Sequence, residues 1–237
     1  DPPSRAFSLP PGGKRGEATL DLLRVQDITE SYQAENGEIF ALDHISFSME
    51  KGEFVSIVGP SGCGKSTLLS IISGLLPPTS GSILLDGKEV RGVDPRIGYM
   101  LQKDNLLEWR TIWKNVIFGL EVRRQLDEET TARARRLLQS YGLWEFQDKY
   151  PSQLSGGMRQ RAALIRTLAT SPEILLLDEA FSALDYQTRL TVTDDVYRIL
   201  RRERITTIMV THDIPESISM GDRVMILTSR PPGWGSC

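Results

Sequence analysis

Short apolar runs alternate with stretches of wider, helix-like spacing along this chain. Leu22 to Thr29 reads as an early strand, and in a second one Ile45, Phe47 and Met49 alternate with Ser46 and Ser48, the period-two signature of a half-buried strand. Phe54 to Val58 is almost continuously apolar, as a strand covered on both faces must be, and it runs into a glycine-rich loop that opens a helix at Lys65. Ser82 to Leu85 and Lys88 to Val90 flank Asp86-Gly87, a two-residue hairpin turn, and Ile97 to Leu101 forms a further strand. From Thr111 to Gly142 the spacing is helical. Asp127 suits an N-cap, Ala134, Leu137, Leu138 and Tyr141 recur at i, i+3, i+4 and i+7, and Gly142 suits the position just past the helix end. A helix from about Gly156, a buried strand Ile174 to Leu177 and a helix from about Asp185 to Arg202 follow. Thr207 to Val210 and Val224 to Leu227 are the last strands.

Apolar strands alternating with helices predict an α/β fold whose sheet is mostly parallel and covered on both faces, with an antiparallel β portion near the hairpin. The mainly helical stretch of about 103–170 reads as an inserted subdomain, and no internal repeat is visible. Residues 1–18 carry Pro2, Pro3, Pro10, Pro11, Gly12 and Gly13 without periodicity, so a flexible leader is expected there. The absence of an initial Met predicts a trimmed or incomplete start.

Composition narrows the class. At 237 residues the chain has room for one sizeable α/β domain or two small ones. A net charge of -3 argues against a surface that coats nucleic acid, and the arginines of 133–136 and 198–204 alternate with apolar residues like solvated helix faces. No nucleic-acid partner is therefore expected. Cys63 and Cys237 make no disulfide framework, which fits a reducing cytosol. No apolar run reaches the roughly 18–20 residues that span a bilayer, and the amino terminus has no signal-peptide core. Work at a membrane would require docking onto another chain.

Gly59-Pro60-Ser61-Gly62-Cys63-Gly64-Lys65-Ser66 fits G-x-x-x-x-G-K-[ST] between an apolar strand and a helix, the context that phosphate-loop motif requires. Its glycines let backbone N–H groups converge on phosphate oxygens at a helix N-terminus. Cofactor contacts are expected from Gly59 through Thr67, with Lys65 on β- and γ-phosphates and Ser66 on Mg²⁺, as in many P-loop proteins from kinases to small GTPases. The plainer reading is a glycine-rich turn with an exposed lysine. Cys63 needs no thiol chemistry here and reads as a small filler. Ile174 to Leu177 runs into Asp178-Glu179: Asp178 is placed to hold Mg²⁺ and Glu179 to act as general base or to orient the attacking water. Ser155, Gly156 and Gly157 open another helix and offer a second anion site, or simply an N-capped helix.

Leu154-Ser155-Gly156-Gly157 matches the LSGG signature of the ABC ATPases, and over about Leu22 to Arg230 the sequence resembles the nucleotide-binding subunit of an ABC transporter. The resemblance implies a P-loop NTPase core with the helical subdomain inserted, in a domain of about 19–230 followed by an irregular tail at 231–237. It implies that Tyr32 stacks on adenine and that Gln102 is the Q-loop glutamine coupling Mg²⁺ to a membrane partner. His212 then resembles the switch histidine of the γ-phosphate. Ser182-Ala183-Leu184-Asp185 resembles the D-loop, and Asp185 is equally a helix N-cap. His44 matches no motif and reads as a surface residue.

Leu101 to Trp109 and Ser229-Arg230-Pro231 resemble the nitrate/sulfonate/taurine importer group, although that group more usually has proline where Glu108 stands. The short stretch Pro231 to Cys237 predicts truncation or a shifted frame. The implied machine is an importer with two copies of this chain, each ATP lying between the phosphate loop of one and the Ser155 helix start of the other. Integral membrane permease subunits would dock beside Gln102 and 103–120 at the cytoplasmic face, with Trp109 and Trp113 as contacts or as core. A solute-binding protein would be an indirect partner. The alternative is a soluble ABC ATPase of translation or DNA repair, whose usual tandem domains, coiled coils or basic surfaces are not seen here. A catalytically dead module is disfavoured because Lys65, Asp178, Glu179 and His212 are all present.

Overall fold

A computed structural model describes residues 7–8, 21–34 and 37–228. Most of the expected leader, Ser229-Arg230-Pro231, Cys237 and the rest of the tail lie outside the described residues. The chain divides into two compact units, Asp1–Asp94 with Ile205–Cys237, and Pro95–Arg204. In chain order the elements are β1 (Phe7–Ser8), β2 (Leu23–Ala34), β3 (Gly37–Met49), β4 (Phe54–Val58), α1 (Lys65–Ile72), β5 (Ser80–Leu85) and β6 (Lys88–Glu89). The second unit adds β7 (Ile97–Met100), α2 (Ile112–Val116), α3 (Phe118–Val122), α4 (Glu128–Ser140), α5 (Gly156–Ala169), β8 (Ile174–Asp178) and α6 (Tyr186–Glu203). The chain returns to the first unit as β9 (Thr206–Thr211), α7 (Ile214–Met220) and β10 (Arg223–Ile226).

In the first unit β4 lies between β9 and β10 and runs parallel to both, with Val58 level with Thr211 on one side and Ile226 on the other. Every residue of β4 and β9 is buried, which is why β4 reads as a continuous apolar run rather than an alternating one. Two residues of the expected leader, Phe7 and Ser8, pair antiparallel with Ile226 and Met225.

A separate antiparallel sheet has the order β3-β2-β5-β6. The β2–β3 hairpin is longer than the alternation predicts, because β3 starts at Gly37 rather than near Ile45. Register shifts break the pattern near Asp27 and His44, both of which sit at φ 52°. The two side chains meet there, His44 Nδ1 lying 2.7 Å from Asp27 Oδ1, and that hydrogen bond raises the imidazole pKa. At the β5–β6 turn Asp86 and Gly87 take φ 50° and 73°, the paired positive values of a type I′ turn.

In the second unit β7 and β8 pair in parallel, Met100 level with Leu177. Helix α5 packs so closely on β7 that a Cβ at Gly98 would meet Thr167 Cγ2 at 2.7 Å. The stretch expected to be helical from Thr111 to Gly142 is broken, α3 ending at a left-handed Arg124 (φ 53°) before α4 begins. Helix α4 starts in a capping box in which Asp127 accepts from the Thr130 N–H and the Thr130 hydroxyl receives the Asp127 N–H. Gly142, at φ 70°, follows its last turn as the spacing predicts.

Asn115 on α2 is fully buried and organises the loop before it. Its Oδ1 accepts from the Leu107 N–H at 2.7 Å, and its Nδ2 reaches the carbonyls of Leu107, Arg110 and Thr111 at 3.1, 3.0 and 3.0 Å. Replacing Asn115 by Ala strands an N–H and weakens the satisfaction of three carbonyls at about 1–3 kcal/mol for a buried orphan. We expect Asn115→Ala to lower unfolding free energy by about 2–4 kcal/mol in urea titration. A loss under about 0.5 kcal/mol, the usual size for a surface substitution, would show that water replaces the amide.

Candidate nucleotide site

Strand β4 ends at Val58 and the chain turns at once through Gly59 to Gly64 into α1. Glycine is required in this turn for steric reasons. A Cβ at Gly59 would lie 2.3 Å from the Leu227 carbonyl oxygen and 2.7 Å from Cys63 Sγ, and one at Gly64 would lie 2.5 Å from the Ala41 carbonyl oxygen. Gly62 and Gly64 also take φ 81° and 91°, where an L side chain is strained. Cys63 is buried beneath the loop, which agrees with a packing role.

Lys65 opens α1 and is only 5% exposed, yet its ammonium has no carboxylate partner among the described residues. Nζ donates to the Gly59 and Pro60 carbonyls, both at 2.8 Å, so the side chain arcs back over its own loop. An ammonium has three donors, and those two carbonyls use two of them. Ser66 is exposed and Thr67 half-buried on the first turn of the same helix. Pro60, Ser61 and Gly62 are exposed at the loop's rim. The loop therefore combines glycine-rich backbone, a helix start and a buried cation, a set of features suited to phosphate oxygens.

Two further residues of the first unit carry sequence expectations. Tyr32, 46% exposed on β2, presents an aromatic ring free enough to stack. His212 follows β9 and is exposed, and its neighbours pin the backbone on both sides. The buried Thr211 hydroxyl donates to Glu216 Oε2 at 2.6 Å and accepts from the Asp213 N–H at 3.0 Å, while Asp213 caps α7 through the Glu216 N–H.

In the second unit all of β8 is buried, and it delivers Asp178, 8% exposed, at its end. Tyr99 on β7 donates its hydroxyl to Asp178 Oδ2 at 3.1 Å. The sequence reading missed Tyr99. Its only signal was a phenol in the otherwise apolar strand Ile97–Met100. Glu179 comes next at φ 46°, an uncommon conformation for a side chain of its kind and a form of strain that collects at functional sites. Ser182 closes the turn: its N–H and its hydroxyl both donate to the Glu179 carbonyl, at 3.0 and 2.8 Å. The same hydroxyl accepts from Gln102 Nε2 at 3.0 Å.

Ser155 caps α5, its Oγ accepting from the Met158 N–H at 3.3 Å, and Asp185 caps α6 through the Thr188 N–H at 3.0 Å. Gly156 is exposed and Gly157 buried, where a Cβ would strike Val192 Cγ2 at 2.8 Å. The arginines of α5 hold the segment after Gln102. Arg159 forks onto Asp104 at 2.9 and 3.3 Å and reaches Glu108 at 3.0 Å, and the bond to Asp104 is the main reason its pKa rises. Arg166 donates to the Asn105 and Asp104 carbonyls at 2.7 and 2.8 Å. Trp109 stands 75% exposed at the end of this segment, whereas Trp113 packs edge-on against Trp144 with centroids 6.2 Å apart.

The oxygen donors fit a hard cation. Mg²⁺ takes few protein ligands beside substrate phosphates, and among the described residues no group of three or more His, Cys, Asp or Glu could hold a metal by itself. The hydroxyl of Ser66, the amide of Gln102 and the carboxylate of Asp178 each offer an oxygen of the kind Mg²⁺ takes.

A strand–loop–helix phosphate site together with a buried strand ending in Asp-Glu defines a P-loop NTPase of α/β class. The family profile described as ABC transporter matches residues 42–182. The chain is 48% identical over 212 residues to the uncharacterized ABC transporter ATP-binding protein YtlC of Bacillus subtilis, covering 90% of this chain and 82% of the relative. It is 41% identical over 209 residues to the nitrate import ATP-binding protein NrtD of Synechocystis sp., covering 88% and 79%. Among solved structures, the dimeric post-hydrolysis state of the ATP-binding cassette MJ0796 bound to ADP and Pi superposes with a TM-score of 0.73 at 33% identity, covering 86% of this chain and 94% of that one. The chain belongs to the ABC transporter family as an ATP-binding subunit and is an ATPase.

The loop geometry separates two glycines. Gly64→Ala combines backbone strain with a backbone clash, whereas Gly62→Ala meets open space and carries strain alone. Strain of this kind is worth about 1–3 kcal/mol, or roughly thirtyfold in affinity at the middle of that range. Nucleotide titration should find Gly64→Ala weakened well beyond tenfold and Gly62→Ala less so. Equal affinities for the two variants would contradict the packing against Ala41.

Proposed function

We propose that this chain is the ATP-hydrolysing subunit of an importer, powering uptake of a small solute through separate membrane-spanning permease subunits. The observation that carries the reading is the buried Lys65 ammonium arched over a glycine loop, in a chain that also ends a buried strand in Asp178-Glu179. Lys65 and the loop N–H groups from Gly59 to Ser66 bind the β- and γ-phosphates, and Thr67 extends the contacts along the first turn. Tyr32 stacks on the adenine. Ser66, Gln102 and Asp178 hold Mg²⁺, which when bound neutralises charge developing on the phosphates.

Glu179 accepts a proton from the attacking water, a role supported by its backbone being held at φ 46° at the end of β8. His212, held between the anchored Thr211 and Asp213, donates a hydrogen bond to the γ-phosphate. A second copy of the chain supplies Ser155, Gly156 and Gly157 from its α5 start, so that ATP binding closes the pair and hydrolysis releases it. That gives a two-state element biased by nucleotide.

Permease docking falls on the segment after Gln102, where Trp109 is exposed and the backbone is clamped to α5 by Arg159 and Arg166. No described helix is long and apolar enough to cross a membrane, and in this reading attachment at the cytoplasmic face runs through the permease. NrtD is named for nitrate import, and the resemblance of Leu101 to Trp109 to the nitrate/sulfonate/taurine group extends that cargo class, small oxyanions, to this chain. A solute-binding protein acts on the permease without touching this subunit.

Removing only the proton acceptor tests the chemistry. Glu179→Gln should bind ATP as the wild type does while kcat falls about 10²–10⁴-fold, and it should accumulate as an ATP-bound dimer on size exclusion. Wild-type turnover in this variant would remove Glu179 from the mechanism.

A further inference from the structure

We infer that Ser182 is a positioning residue: its hydroxyl ties the Gln102 side chain to the backbone of Glu179, so that the loop after β7 and the hydrolytic carboxylate move as one. The inference rests on the roles given above to Gln102 and Glu179. Its geometry lies wholly within the second unit. Gln102 Nε2 donates to Ser182 Oγ at 3.0 Å, and Ser182 Oγ donates to the Glu179 carbonyl at 2.8 Å. One hydroxyl has one proton and two lone pairs, so it accepts from the amide and donates to the carbonyl at the same time.

The carbonyl that receives this bond belongs to the residue held at φ 46°. The Ser182 N–H also binds that carbonyl, at 3.0 Å, and survives any side-chain change, so the turn itself persists without the hydroxyl. What the hydroxyl adds is the connection to Gln102. Gln102 leads directly into the segment clamped by Arg159 and Arg166, so a displacement of that segment reaches Glu179 through two hydrogen bonds and no intervening side-chain rearrangement. Chains of this kind polarise one another and act as a unit.

The test is a double-mutant cycle in the full chain with ATP and Mg²⁺, comparing wild type, Ser182→Ala, Gln102→Ala and the double variant, with Ser182→Thr as the conservative control. Ser182→Ala should lower kcat roughly three- to tenfold with KM unchanged, the scale of one lost hydrogen bond felt at the transition state. Ser182→Thr keeps a hydroxyl and should recover most of the rate. The double variant should lose less than the product of the two single losses, because each single change already breaks the same chain.

A wild-type kcat for Ser182→Ala, failure of Ser182→Thr to recover rate, or strictly multiplicative losses would each overturn the inference. Should Ser182→Ala fold poorly by thermal melting, Ser182→Cys, whose thiol is only a weak donor and acceptor, takes its place in the same cycle. Glu179→Gln run alongside separates the two readings. If it keeps turning over, the base assignment fails, whereas if it is dead and Ser182→Ala is normal, only the Ser182 connection fails.

Discussion

Both β4 and β8 are fully buried strands that end in a sharp turn, and each turn puts a residue into the left-handed backbone conformation. At the end of β4 the chain meets that demand with glycine: Gly62 and Gly64 take positive φ, and no Cβ intrudes on Ala41. Lys65 folds back there onto the Gly59 and Pro60 carbonyls, with Cys63 Sγ 3.9 Å from its ammonium. At the end of β8 the same demand falls on Glu179, a residue that pays a steric cost for φ 46° and cannot be replaced by glycine without losing its carboxylate. Two hydrogen bonds from Ser182 to its carbonyl hold it there.

Charge follows the same economy of position. Among the described residues the buried Lys65 ammonium is held by carbonyl dipoles and by no carboxylate, so no anion there competes for its charge. In the second unit the cations serve structure instead. Arg159 and Arg166 take up Asp104, Glu108 and two backbone carbonyls, fixing the segment that follows Gln102. Glu108, standing where the importer group more usually has proline, has a physical role in this chain as a partner of Arg159. Proline could make no such bond.

How much of this could be read from the residues alone depended on range. The phosphate loop, the buried strands before it and before Asp178, and the caps at Asp127, Ser155 and Asp185 are local, set by neighbours within about one turn, and all were legible. The β2–β3 hairpin was half hidden, because the bulges at Asp27 and His44 break the alternation that marks a strand. The helix break at Arg124 carries no glycine or proline to announce it. Tyr99, Asn115 and the Ser182 bridge were not legible as contacts. Each meets a partner brought close only by the tertiary fold, Ser182 and Gln102 being 80 residues apart in the chain. Trp109 and Trp113 looked alike in sequence, and packing against Trp144 is what separates them.

In the proposed dimer one ATP is gripped by the Lys65 loop of one chain and the Ser155 helix start of another. Mixing two dead variants distinguishes this shared site from one complete within a single chain. Lys65→Ala removes a phosphate contact and Ser155→Arg fills the second anion site, so each alone should fail to pair with ATP. In a mixed dimer one site carries both lesions, while the other joins an intact Lys65 loop to an intact Ser155 start. Light scattering across mixing ratios should therefore show ATP-dependent dimers that neither variant forms alone. No gain of dimer at any ratio would contradict a shared site, because a site complete within one chain keeps its lesion whatever its partner.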